Sequence, residues 1–185
     1  MFSVTVSFAQ ESNVAQTGVD FGTRFYASLG SENGEFNKIS EEVYFYAQTL
    51  TTGDEVDTFI FSFKQGLYTA AEQDGLEEPK RTALDAFFVK FEGQLPKAFA
   101  ISYGEVVGNR FAGLYELEDK QLYTTFLAVA LEEIDVNNED IVVSFILSSM
   151  CGIADYYEEN ISDAKEAETR TTKCMKTFNK TLRKL

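Results

Sequence analysis

The chain of 185 residues carries 30 Asp and Glu against 16 Lys and Arg, a net charge of −14, and contains no histidine. Such acidity argues against nucleic acid as a partner, because backbone binding needs cations that displace counterions from phosphates. The missing histidine excludes Ser-His-Asp and Cys-His catalysis, zinc sites of the usual His/Cys type, and Glu-x-x-His di-iron bundles. Hydrophobic residues make up 44% of the chain, including 17 Phe and 9 Tyr but no Trp, and only Pro79 and Pro96 interrupt it. A chain of this length can bury about 70% of its unfolded surface in one core, and so few prolines suit long helices.

In chain order, the apolar start Met1–Gln10 ends in Gln10-Glu11-Ser12-Asn13. Ser7 and Ala9 have the small side chains of a secretory cleavage site before Gln10, so residues 1–12 read as a signal-peptide remnant or an N-terminal arm. A polar linker then precedes Phe21, Phe25 and Leu29, which share a helical face closed by Gly30. Phe36, Ile39, Val43, Ala47 and Leu50 predict a second helix. Thr52-Gly53-Asp54-Glu55 has the form of a capping box for a third, whose stripe is Val56, Phe59, Ile60, Phe63, Leu67, Ala70 and Ala71. Alternation of Phe59, Phe61 and Phe63 is the strand reading of the same run; its extension through Leu67 and Ala71 favours helix.

Past Pro79, the residues Ala83, Leu84, Phe87, Phe88, Phe91 and Leu95 form an apolar face reaching Pro96. Ala100, Gly104, Gly108 and Ala112 then recur at strict i+4 spacing, a smooth ridge that would admit a neighbouring backbone. Because Gly costs about 1 kcal/mol in a helix interior, a small β-hairpin near 97–117 is the competing reading there. Leu122, Phe126, Val129, Ala130 and Ile134 predict another helix, and Asn138 caps the next. From Ile141 to Ala154 no residue is charged. Fourteen residues fall short of the ~20 needed to span a bilayer, so this segment reads as a buried helix and not as a transmembrane segment. Asp163 and Glu166 open the last helix, whose seam is Ala164, Ala167, Thr171, Cys174, Phe178, Leu182 and Leu185. Residues 164–185 hold seven Lys and Arg against two Glu, a tail of +5 on a remainder of −19. No internal repeat or low-complexity tract stands out.

The expected fold is therefore all-α: a single-domain bundle of about seven to eight helices over 19–185, ending in an antiparallel helical hairpin that turns at Asn160–Ser162. Cys151 and Cys174 are equidistant from that turn and are candidates for a disulfide contributing about 3 kcal/mol. Such a bond would suit a periplasmic or extracellular compartment, the alternative being two buried thiols in the cytoplasm. Asp135-x-Asn137-x-Glu139 starts like a calcium loop but has Asp140 in place of the glycine and Ile146 in place of the closing glutamate, and Ser31-x-Asn33-x-Glu35, although followed by Glu42, lacks the leading aspartate and the glycine, so no metal and no cofactor is assigned. The acidic pairs Glu41/Glu42, Glu77/Glu78, Glu132/Glu133 and Glu158/Glu159 keep a carboxylate-only hydrolase in view, although no catalytic residue is assigned and the chain reads as a non-enzyme. Asp155, Tyr156, Tyr157, Glu158 and Glu159 form a candidate interaction surface for a protein partner of basic character. The leading expectation is an exported acidic protein that acts by protein binding, in the manner of an inhibitor or immunity protein. The alternative is a carrier of an apolar small molecule or lipid, with the Ala100/Gly104/Gly108/Ala112 ridge lining its pocket.

Overall fold

A computed structural model describes the backbone of residues 3–29, 35–75 and 78–185, and the side chains of these except 3–12, 78–80, 83, 87 and 90. The described residues are all-α, with eight helices and no strand. The helices are α1 (Ser3–Ser28), α2 (Glu35–Ala47), α3 (Gly53–Gln73), α4 (Glu78–Glu92), α5 (Leu95–Glu116), α6 (Lys120–Leu131), α7 (Glu139–Asn160) and α8 (Ala164–Leu182). They fall into two compact units, residues 1–99 and 100–185, the boundary lying inside α5. Gly30, the 31–34 loop, and the side chains of Ala83 and Phe87 lie outside the described residues.

The helix starts follow the local chemistry. Thr52, Asn138 and Asp163 are N-caps whose side chains accept backbone N–H groups of Glu55, of Asp140 and Ile141, and of Glu166, respectively. At α3, Glu55 reaches back to the Thr51 N–H (2.7 Å) and the Thr51 hydroxyl (2.9 Å). Pro96 sits in the first turn of α5, where its missing N–H breaks no helical bond.

Two expectations change. The region 97–117 is uninterrupted helix, which removes the hairpin reading, and the polar linker after residue 12 is part of α1. Both have one cause, the use of glycine as a packing surface. Along α1, Val14, Gly18, Gly22 and Phe25 are buried at four- and three-residue spacing, and α1 packs chiefly on α3. A Cβ built on Gly22 would stand 2.1 Å from the Phe63 carbonyl oxygen, and one on Gly66 2.2 Å from that of Val19. In unit 2 the corresponding distances are 1.9 Å from Gly108 to the Ser149 oxygen and 2.0 Å from Gly152 to the Glu105 oxygen. Close backbone contact offsets the poor helix propensity of these glycines.

These contacts expose a repeat that the linear sequence hides. Gly18, Gly22, Arg24, Phe25, Phe59, Ile60, Ser62 and Gly66 recur 86 residues later as Gly104, Gly108, Arg110, Phe111, Phe145, Ile146, Ser148 and Gly152. The caps Thr52 and Asn138 keep the same separation. So do the neighbours, since a Cβ on Gly18 would meet Ser62 and Phe59, and one on Gly104 would meet Ser148 and Phe145. Helix lengths run 26, 13, 21 and 15 residues in α1–α4 and 22, 12, 22 and 19 in α5–α8. The chain is two copies of one four-helix plan.

Each copy centres its core on the same phenylalanine. Phe25 lies 5.5 Å from Phe63 and 5.4 Å from Phe91, while Phe111 lies 5.1 Å from Phe178 and 5.3 Å from Tyr123, all as ring centroids. These are favourable tilted and edge-on geometries. The arginine beside each phenylalanine stays outside, Arg24 over the Phe21 ring and in a 2.6 Å pair with Glu42, Arg110 over the Phe126 ring.

Candidate functional site

Among the described residues, two departures of unit 2 from its twin bear on a site. The first is a polar cluster inside the α5–α7–α8 packing. Tyr157 is buried, and its hydroxyl donates to Glu116 Oε1 at 2.6 Å. Arg170 bridges Glu116 Oε2 at 2.7 Å and Glu166 at 2.9 Å, tying α8 to the end of α5. Cys174 lies fully buried beside Tyr157, and burial pushes its thiol up to about 12. The Tyr157 hydroxyl is raised as well, by burial first and then by its bond to Glu116. A neutral, covered thiol is a poor nucleophile, and the ion pairs and hydrogen bond of the cluster fasten α8 and α7 to the end of α5.

At the positions of Tyr157 and Cys174, unit 1 has Ala71 and Phe88, both buried. A small and a large residue have exchanged places with total volume roughly kept, the kind of swap that cores tolerate best.

The expected Cys151–Cys174 disulfide is not formed: Cys151 is an exposed free thiol and Cys174 a buried one. Equidistance from the turn at 161–163 fixes height along the hairpin, but it leaves the rotation of α7 undetermined. An inward Cys151 needs the face it shares with Leu147 to meet α8; instead the small residues Ser148, Ser149 and Gly152 face inward, where α5 needs them. Leu147 is 59% exposed. By length and composition α7 is also long enough to cross a membrane, a property of its whole 22 residues that the uncharged run alone does not convey.

The Asp155–Glu159 surface is divided. Asp155, Glu158 and Glu159 are exposed, Tyr156 is half-buried with its ring 5.2 Å from that of Tyr157, and Tyr157 belongs to the core. Three acids and one partly covered ring therefore remain outside. Asp135 accepts the Asn137 N–H and Asn138 caps α7, so this acidic loop is engaged in turn and cap formation. Among the described residues, no three acids or thiols converge as a metal centre would require.

The second departure is an open apolar groove of about 720 Å3 between the end of α6, the first half of α7 and the end of α8. Leu131, Ile134, Val142, Ile146 and Leu182 supply most of its lining, with Val136 and Leu185 exposed at its edges and Glu132 and Arg183 as the charges. Its size falls within the ~300–1,000 Å3 usual for ligand sites. Sequence reasoning missed it because Val142 and Ile146 read as core, and because the pocket was expected along the Gly104/Gly108 ridge. That ridge is filled by the α7 backbone.

No protein-family model, no curated protein and no solved structure matches the chain.

Proposed function

We propose that the protein acts by binding another protein, without a catalytic centre of its own, and that unit 2 carries the binding face. The observation supporting this reading is the open apolar groove between α6, α7 and α8. Groups of this kind, apolar at the floor and charged at the rim, gain affinity by burying their floor and orientation from their rim. Exposed Val143 and Leu147 on α7, with Asp155 and Glu158 further along that helix, extend the apolar and acidic surface available to a partner.

A photoreactive residue at Ile146, introduced into the full chain in its native source, tests the reading. A discrete protein adduct that disappears in the Leu182→Glu background supports it. A second reading, a carrier of an apolar small molecule, is favoured by the size of the groove and by Arg183 at its rim. An alkyl compound that co-purifies with the native protein, with no protein adduct at Ile146, would establish the carrier instead.

A further inference from the structure

The outer side of α8 carries a single sign of charge. Over residues 170–185 the chain holds Arg170, Lys173, Lys176, Lys180, Arg183 and Lys184 and no acid. Lys173, Lys176, Lys180 and Arg183 step by three and four residues, so they line one side of the helix with Lys184 beside them, and all five are exposed. The fourth helix of unit 1, α4, instead mixes Lys80, Arg81 and Lys90 with Glu78, Asp85 and Glu92. The basic ridge is therefore not part of the plan that the two units share.

Folding alone does not account for the ridge. Among the described residues the ion pairs of α8 are those of Arg170 with Glu116 and Glu166, and the five ridge cations form none. The macrodipole favours cations in the last turn of a helix, which accounts for Lys180 and those after it, but it fades before Lys173 and Lys176. Like charges three and four residues apart weaken a helix. Local stability is thus set against the ridge, a conflict expected at functional surfaces.

The ridge runs into the groove, because Arg183 belongs to both. Glu132, at the end of α6, is the acid of the lining, so the cationic side of the groove is the one that α8 supplies. A partner whose apolar residues enter the groove meets this row of cations next to it. An anionic bilayer fits less well, since Ala167, Cys174 and Phe178 on the apolar face of α8 are buried and leave charge as the only attraction. Nucleic acid also fits less well, with exposed Glu166 and Glu168 on the same helix and a net charge of −14.

We infer that residues 173–184 form an electrostatic docking surface for an acidic segment of the partner protein, whose carboxylates lie along the ridge while adjoining apolar residues enter the groove. This rests on the protein-binding reading above.

The test uses the full chain and a fluorescently labelled peptide with a run of Glu next to a Leu-Phe pair, together with its counterpart carrying Gln for Glu. Saturable binding of the Glu peptide, weakened by salt and much tighter than that of the Gln peptide, is expected. Lys173→Glu/Lys176→Glu lies outside the groove lining and should weaken binding about tenfold or more, while Lys173→Arg/Lys176→Arg should retain it. Lys97→Glu/Lys120→Glu, also exposed, changes the net charge equally and should leave binding unchanged. Circular dichroism checks that each variant is folded. Equal binding of the two peptides, or equal losses in the two Glu variants, overturns the inference. Tighter binding to phosphatidylserine vesicles or to a single-stranded oligonucleotide, lost in Lys173→Glu/Lys176→Glu, overturns it in favour of that surface. A protein adduct at Ile146 that persists in Lys173→Glu/Lys176→Glu leaves the protein-binding reading standing and overturns the ridge.

Discussion

Gly108 faces Ser149 so closely that a Cβ on the glycine would lie 1.9 Å from the serine carbonyl oxygen, and Gly22 faces Phe63 in the same way at 2.1 Å. In both cases the obstacle is backbone, which cannot rotate aside. Gly108→Ala and Gly22→Ala should therefore each destabilise the protein by about 2–4 kcal/mol despite the better helix propensity of alanine. Gly113 lies in the same helix as Gly108, but the nearest atom to its Cβ would be Tyr156 Cε2 at 3.5 Å, an ordinary contact. Gly113→Ala should be neutral or stabilising by up to ~1 kcal/mol. Chemical denaturation of the three variants checks the contrast, and equal losses at all three would show that the glycines do not act through backbone approach.

The exchange of Ala71 and Phe88 for Tyr157 and Cys174 predicts coupling. Tyr157→Ala alone should cost about 3–5 kcal/mol, through a cavity and the lost bond to Glu116. Adding Cys174→Phe copies the unit 1 pair and should recover about 1–2 kcal/mol of that loss. A double-mutant cycle measures it, and strict additivity would mean that the two units do not share this packing.

Thiol chemistry separates the cysteines. Native protein treated with a thiol reagent near pH 8 should modify Cys151 and leave Cys174 intact, with both reacting after denaturation. In unfolded chain a thiol titrates near ~8.5, so the native state holds the Cys174 proton more tightly than the unfolded state does. Its stabilising contribution is complete below about pH 8.5 and is lost as pH rises toward 12. Tyr157 acts in the same direction at higher pH. Urea midpoints should fall above about pH 9, and less steeply for Cys174→Ala.

Thr52→Ala and Asn138→Ala should each cost about 1 kcal/mol, because each leaves first-turn N–H groups of α3 or α7 without their side-chain acceptor. Asn138→Asp should keep the cap. Thermal unfolding of the three variants is sufficient to decide.

Much of the architecture was legible locally. The caps at Thr52, Asn138 and Asp163, the stripe from Val56 to Ala71 and the hairpin turn after Asn160 depend on residues within one or two turns of each other, and they stand as expected. Features that depend on rotation or on distant partners were not legible. The start of α1 looked like a linker because its buried face is Val14, Gly18 and Gly22, which carries little hydrophobic signal. For the same reason the repeat escaped notice: the residues kept across 86 positions are mainly contact residues three or four apart, while solvent-facing positions differ freely. The cysteine pairing failed on azimuth, since size rather than polarity decided which side of α7 met α5. The groove is lined from three helices far apart in the sequence, so no single segment encodes it.

Methyl-resolved NMR of the full chain, with and without the protein that crosslinks at Ile146, tests the central claim most directly. The account predicts that the methyl signals of Val142, Ile146 and Leu182 shift in step with binding, while those of their covered counterparts Val56 and Ile60 stay in place. Shifts confined to other surfaces, or equal shifts in both units, would contradict it.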